Sequence, residues 1–450
     1  MSAPLDWLLG LERFGIVLDL GVVRHLLDLL GHPERRFQAV HVAGTNGKGS
    51  TCAFAEALLR AAGRRVGLYT SPHLVRFEER IRIDGREIDE AEVVRLVTEL
   101  RALLDANPVP PSAGGRYPTF FEFTTAMAFA AFARAGVDTA VVEVGLGGRL
   151  DATNVLVPRV CVVTNIDYDH MGLLGNTLES IADEKLGIAK PRVPLVTAER
   201  RGSLLARFVD RAAALEAPLH VLAEGSGDPH AEGRLAPPPP WVARRTDGTM
   251  AYRGLRIALD GVRLGLLGAH QVDNAGLALL ALEAMGDGAL PDEAGIRRAL
   301  AATRWPGRLE QVREAPRVVL DGAHNPAAVA RLVQSLHEDF RYRRLILVAS
   351  VMADKPVEAI VGALAPLAAL VVATRATLAR AAPPSRIAEA ALRAGTRAVM
   401  APDLPRALDL ALAEAGPEDL VLVAGSLFAV GEARAHLASR APSPPPGGAR

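Results

Sequence analysis

Residues 41–51 read His-Val-Ala-Gly-Thr-Asn-Gly-Lys-Gly-Ser-Thr, and they constrain the fold more than any other stretch. The apolar run 37–43 before them predicts a buried strand. Phe54, Leu58, Leu59 and Ala62 after them recur at helical spacing. A glycine-rich turn between strand and helix is the context in which a loop binds polyphosphate. Gly44, Gly47 and Gly49 let backbone N–H groups approach a phosphate closely, and the helix N-terminus adds positive partial charge. Lys48 can reach the terminal phosphates, and Ser50 or Thr51 is expected to cap the helix or touch a metal. The match to the Walker A pattern is incomplete: Val42 stands where that loop has its first glycine, and Gly49 displaces the hydroxyl by one residue. The plain alternative is an ordinary strand-to-helix turn. Lysine usage argues against it. Of 51 Lys and Arg residues only four are lysines, Lys48, Lys185, Lys190 and Lys355. Arginine's planar fork cannot replace a compact ammonium in a tight loop.

The 450 residues are enough for about two or three domains. Formal net charge is zero and the pI is near 7.2, which offers no electrostatic grip on nucleic acid or an anionic membrane. Cys52 and Cys161 both lie in apolar segments and read as buried free thiols of a reducing compartment. An acidic N-terminus without an apolar core predicts no signal peptide. No run of about 18 apolar residues predicts a spanning helix. A cytoplasmic monomer is the expectation.

Segments 1–36, 89–104 and 119–134 read as helices. Strands are expected at 37–43, 65–70, 138–144 and 160–166, with a charged hairpin-like piece at 80–88 and further strands at 194–196 and 220–222. This βα alternation predicts a mainly parallel sheet. Residues 224–240 form a low-complexity, proline-rich loop, and 241–267 alternate as antiparallel strands before a helix at about 274–285. Strands at 317–320, 345–349, 370–374, 398–401 and 420–424 make a second α/β unit. The fold class is therefore α/β: a P-loop-type ATPase domain with a mainly parallel sheet, 1–296, then a smaller Rossmann-like α/β domain, 297–440, and a disordered tail, 441–450.

In open parallel sheets ligands bind beyond the carboxyl ends of the strands. Glu143 is a lone carboxylate inside an apolar strand there. Burial without a partner is costly, so either Mg²⁺ on a nucleotide or a structural ion pair is expected. The glycines of 145–148 fail dinucleotide spacing. His170 follows the next strand and is a plausible ligand if it lies near Glu143. Lys185 has a bland alternative, a helix-face salt bridge with Asp183 or Glu179.

Taken together these segments resemble the folylpolyglutamate synthase and dihydrofolate synthase family, within the Mur-ligase superfamily of ATP-dependent amide ligases. The resemblance is carried by residues 44–50, 71–74 (Ser-Pro-His-Leu), 121–122, 143–154, 169–170, 184–188, 270–274, 306–308 (Pro-Gly-Arg) and 321–326 (Asp-Gly-Ala-His-Asn-Pro). It implies that Thr45, Asn46, Gly47 and Lys48, with Gly49 and Ser50, cradle the phosphates of ATP. Ser71, Glu143 and His170 would hold Mg²⁺. Lys185 would be carbamylated by CO₂ and help bind a second Mg²⁺. Asn274, Arg308 and Asp321 would contact the nucleotide, and His324 would lie near the terminal phosphate or the amino-acid site. Thr119, Phe120, Phe121 and Glu122, with Leu150, Asp151 and Ala152, would line a pterin pocket, Asp151 bonding to the ring. Lys48, Lys185 and His324 are the implied catalytic groups.

The implied reaction adds L-glutamate to dihydropteroate, to the γ-carboxylate of reduced folates, or to both, through an acyl phosphate, releasing ADP and phosphate. Alternatives are a folylpolyglutamate synthase alone, another Mur-type amino-acid ligase, or, in a different class, a P-loop nucleotide switch. The strand end at 349–356 departs from the family in lacking a glycine, and 106–117 is longer and richer in proline than the motifs require.

Overall fold

The structure is a computed structural model and describes residues 3–225 and 239–440. The tail 441–450 and most of the 224–240 loop therefore lie outside the described residues. The chain divides into two compact units, one ending at Arg304 and one beginning at Trp305, with 266–268 assigned to the second. The division falls later than 296/297 because the helix Glu293–Ala302 packs on the helix Lys48–Ala61 of the first unit.

Among the described residues the first unit holds an eight-stranded sheet. Its order is Arg86–Glu87, Ile81–Ile83, Val66–Tyr69, Thr139–Glu143, Gln38–Ala43, Val160–Val163, Leu195–Thr197, Leu219–Val221. All pairs are parallel except the two at the Arg86–Glu87 edge. The central strands are buried throughout, as their continuous apolar sequences require of a sheet covered on both faces. The expected strand 160–166 stops at Val163, since residues 164–167 turn away to serve the phosphate loop. The helix Gly202–Ala214 was not expected from the sequence; only Leu204, Phe208 and Ala212 of it are buried, a narrow stripe.

A four-stranded sheet, Ala258–Val262, Met250–Arg253, Trp241–Arg244 and Ala223–Glu224, joins the expected antiparallel segment to one parallel strand. It is tied to the helix His270–Met285 through Glu283, whose carboxylate accepts from the Tyr252 hydroxyl at 2.6 Å and from the N–H groups of Leu255, Arg256 and Ile257. That anchorage fixes the helix whose first turn carries Asn274.

The second unit is a six-stranded sheet, in order Glu310–Glu314, Arg317–Leu320, Leu420–Ala424, Leu345–Ala349, Leu370–Ala373, Ala398–Met400. The five expected strands are all parallel, and Glu310–Glu314 adds an antiparallel edge. Its sequence, Glu-Gln-Val-Arg-Glu, is polar because both faces of this edge are largely wet. Among the described residues no helix is long and apolar enough to cross a membrane.

Candidate active site

The phosphate loop is built by glycine geometry. Gly47 precedes the helix Lys48–Ala61 at φ 83, in the left-handed region. A Cβ there would collide with the carboxamide oxygen of Asn274, and one on Gly44, at φ 143, with the Thr164 hydroxyl. Both positions therefore need glycine. No side chain caps this helix; Ser50 and Thr51 are buried within it, which corrects the capping expectation. The first helical N–H groups are thus left for a ligand.

Residues after the strand Val160–Val163 hold the loop in shape, a role the sequence did not disclose. Asn165 accepts from the Asn46 N–H at 3.0 Å, and its carbonyl accepts from the Thr45 N–H at 3.0 Å. The Thr164 hydroxyl donates to the Asn46 carbonyl at 2.6 Å, and the Thr45 hydroxyl exchanges bonds with the Asp167 backbone. A Thr-Asn pair at a strand end is the one local signal, and it is weak.

Lys48 Nζ curls over the loop and donates to the carbonyls of Gly44 and Thr45, each at 3.2 Å. Lys185 arrives from the helix Leu178–Leu186, is buried, and donates to the same Gly44 oxygen at 3.0 Å. The helix-face alternative for Lys185 fails: Asp183 pairs instead with Arg207. Burial above all, and then the Lys48 charge, lower the Lys185 amine to about 7, against the opposing pull of Asp169 and Asp151. The helix comes this close because Gly148 has no side chain. A Cβ there would lie 2.7 Å from the Glu184 carbonyl oxygen and 2.9 Å from that of Lys185. Gly145 instead makes room for the Phe121 ring, and Gly147 stands at φ 68 beside Leu174.

Glu143 ends its strand buried, and one carboxylate oxygen accepts from the Ser71 N–H at 3.2 Å. His170 follows at φ 50, its side chain 39% exposed, with Nε2 3.9 Å from Asp169. Among the described residues no group of three His, Cys, Asp or Glu side chains is arranged to hold a metal. Of the three expected cation ligands, Ser71 and Glu143 are thus in contact, and a hydroxyl beside a buried carboxylate suits a cation that keeps water and phosphate oxygens in most of its positions, as Mg²⁺ does.

The residues assigned to the pterin pocket divide. Thr119 and Glu122 form the capping box of the helix Phe120–Arg134, and Arg116 forks onto Glu122 at 2.7 and 2.5 Å. Their side chains are thereby occupied. Phe121 stacks on Tyr69 at 5.9 Å, and Phe120 meets Phe77 edge-on at 6.1 Å. Leu150 is half-buried beside Ala152. Asp151 is buried; it accepts from the N–H groups of Leu146 and Thr153 and from the Thr153 hydroxyl at 2.5 Å. Burial raises its pKa and these donors oppose the rise. His41 joins this chain: its Nε2 lies 2.8 Å from the Thr153 oxygen. Because that hydroxyl already donates to Asp151, the imidazole is the donor. Both cysteines are buried and free, with Cys161 raised to about 12 by burial, so neither is a poised nucleophile.

In the second unit Asp321 follows the strand Arg317–Leu320 and accepts from the N–H groups of Leu309 and Ala323, each at 2.9 Å. Burial raises its pKa, opposed first by the Arg308 charge. A Cβ on Gly322 would collide with Arg308, so the two motifs 306–308 and 321–326 meet here. His324 Nδ1 donates to the Gly322 carbonyl at 2.8 Å. Asn325 caps the helix Pro326–Asp339. The glycine-less strand end is pinned: the Ser350 hydroxyl accepts from Ala376 N–H at 3.0 Å, and Gly425, at φ 102, supplies the close approach to the Ser350 carbonyl.

Two family models match: the Mur ligase middle domain over residues 111–198, and the Mur ligase glutamate ligase domain over 307–427. A Bacillus subtilis dihydrofolate synthase/folylpolyglutamate synthase is 39% identical over 355 residues, covering 78% of this chain and 79% of that protein. A probable bifunctional folylpolyglutamate synthase/dihydropteroate synthase of Haloferax volcanii is 40% identical over 431 residues; the chain spans about half of it, 49%. Among solved structures, Escherichia coli FolC in complex with DHPP and ADP superposes with a TM-score of 0.85 at 32% identity, covering 98% of each chain. A Yersinia pestis bifunctional folylpolyglutamate synthase/dihydrofolate synthase with Mn, AMPPNP and L-glutamate bound gives 0.82 at 31% identity, covering 97% of this chain and 98% of that one. With glycine-shaped phosphate loop, converging lysines and both Mur-ligase domains in place, the chain belongs to the folylpolyglutamate synthase/dihydrofolate synthase family of the Mur ligases.

Proposed function

We propose that the protein joins L-glutamate to dihydropteroate and to the γ-carboxylate of reduced folates, at the expense of ATP. The observation that carries this reading is the convergence of Lys48 and Lys185 on the Gly44 carbonyl, within a loop whose glycines leave room for phosphate. Relatives whose names include both synthase activities, and related structures holding ADP with DHPP or AMPPNP with L-glutamate, support it.

A carboxylate does not acylate an amine at neutral pH unless activated. A substrate carboxylate oxygen attacks the γ-phosphorus of ATP, the bond to the bridging oxygen breaks, and ADP leaves. The glutamate amine then attacks the acyl carbon, phosphate departs, and the amine proton passes to solvent. Lys48 would swing from the loop carbonyls to the transferring phosphoryl group, while the free N–H groups after Gly47 hold its oxygens. Ser71, Glu143 and His170 would hold Mg²⁺, which neutralises phosphate charge. Asn274, Arg308 and Asp321 are read as further nucleotide contacts, and His324 as lying near the terminal phosphate or amino-acid site.

Lys185 is read as carbamylated. Its amine, lowered to about 7, is largely neutral in mildly basic solution and can attack CO₂; loss of one proton leaves a carbamate anion suited to a second Mg²⁺. Phe121, Leu150 and Ala152 are read as pterin contacts, with Asp151 shaping the loop beneath them. A cytoplasmic monomer without nucleic-acid partners fits this reading.

Glutamate incorporation with dihydropteroate and with tetrahydrofolate, run side by side with ATP, tests it. Incorporation into both acceptors is expected. Incorporation into neither, alongside full ATPase activity without folate, would favour the nucleotide switch.

A further inference from the structure

Arg80 stands at the start of the antiparallel strand Ile81–Ile83, and its carbonyl accepts from the Thr70 N–H at 3.0 Å. Register sets Tyr69 beside both Ile81 and Val142, so Arg80 lies at the carboxyl edge of the sheet, close to Ser71 and Glu143. The residue is only 6% exposed. Its guanidinium lies over the Phe120 ring, 4.9 Å from the centroid, and Nε donates to His73 Nδ1 at 2.8 Å.

Among the described residues no carboxylate is paired with this guanidinium. The neighbouring acid Glu79 turns its carboxylate onto the N–H groups of Leu74, Val75 and Arg76. Glu12 and Glu143 attract Arg80 through space without forming an ion pair with it, and Glu143 accepts from Ser71. The one side-chain hydrogen-bond partner of Arg80 among the described residues is His73, whose Nδ1 accepts from Nε. Elsewhere, by contrast, Arg116 forks onto Glu122 and Arg201 onto Glu199. A buried cation whose acids all stand beyond ion-pair contact is costly unless an anion arrives. A guanidinium beside aromatic rings matches an aromatic carboxylate in shape and charge.

We propose that Arg80 binds the carboxylate of the acceptor substrate, the group that is to be phosphorylated, with His73 orienting the guanidinium. This rests on the ligase reading above. The planar fork takes both carboxylate oxygens while the Phe120 and Phe121 rings flank the adjoining benzoyl ring.

The test compares dihydropteroate with its carboxamide, in which the anion alone is lost, by fluorescence titration of the full chain. Wild type should prefer the acid by roughly tenfold to hundredfold, the usual range for a charge-assisted bond. Arg80→Met, which keeps the length of the side chain, should bind both ligands with the affinity of the carboxamide; its circular dichroism spectrum checks the fold. Should it not fold, Arg80→Lys serves instead: a single ammonium cannot fork both oxygens, and the preference should fall severalfold. An undiminished preference for the acid in the folded variant overturns the proposal and leaves the ligase reading standing. Wild type that binds neither ligand overturns both.

Discussion

Lys185 Nζ donates to the carbonyl oxygen of Gly44 at 3.0 Å, and Lys48 Nζ reaches the same oxygen at 3.2 Å. Two ammonium groups on one acceptor repel each other, and the buried one gives up its proton more readily. The phosphate loop thus carries one half-buried lysine and one buried lysine whose amine is lowered to about 7.

Lys185→Ala should lose most ligase activity, and added short carboxylates should restore part of it. Lys185→Arg should not rescue, because guanidinium stays protonated and forms no carbamate. Turnover in CO₂-depleted buffer, against the same buffer with bicarbonate, checks the wild type. Near-normal turnover of Lys185→Arg would remove the carbamate and leave the Lys48 assignment intact.

Lys48→Ala should reduce kcat by well over tenfold, more than about 1.4 kcal/mol of transition-state stabilisation. The fold should survive, since this half-buried side chain donates only to carbonyls of its own loop. Steady-state kinetics and thermal melting on one preparation separate the two effects.

Gly47→Ala should weaken binding of an ATP analogue and destabilise the fold, by about 1 kcal/mol from the left-handed backbone alone. The added Cβ also drives into Asn274. Asn274→Ala should therefore relieve part of the stability loss in the double variant, a non-additivity readable by urea unfolding. Strict additivity would show that the two residues do not touch.

His41 should make the protein acid-sensitive. Burial first, and Lys190 second, lower its pKa from 6.5 to about 3. Between those values the unfolded chain binds the extra proton and the folded one does not. Stability is therefore complete above about pH 6.5 and falls as the pH drops toward 3, by up to about 1.4 kcal/mol per pH unit. His41→Gln should flatten this slope in denaturant titrations between pH 4 and 6.5. The wild-type slope also contains His73, which is lowered in the same direction.

The parallel sheet was legible in the sequence because its strands are continuous apolar runs separated by helical spacing, and both properties are local. The polar edge Glu310–Glu314 was not, since an edge strand wet on both faces carries little pattern. The helix Gly202–Ala214 does carry a helical stripe, Leu204, Phe208 and Ala212, but one too narrow to stand out among its arginines and alanines. Thr119 and Glu122 show a different limit: their spacing allows a capping box, but only the tertiary structure shows Arg116 forking onto Glu122.

The sequence by itself determined that a glycine-rich turn joins a buried strand to a helix, and that lysine is kept at four places among 51 basic residues. Chain connectivity and residue type are sufficient for that. Only the tertiary structure decided that Lys185, 141 positions from Gly44, shares an oxygen with Lys48. It also decided that His41 braces Asp151 through Thr153, and that Arg80 is buried with its acids beyond ion-pair contact. A pKa depends on what surrounds a group in three dimensions, and a counter-charge on which distant segments pack beside it. Neither is a property of spacing along the chain.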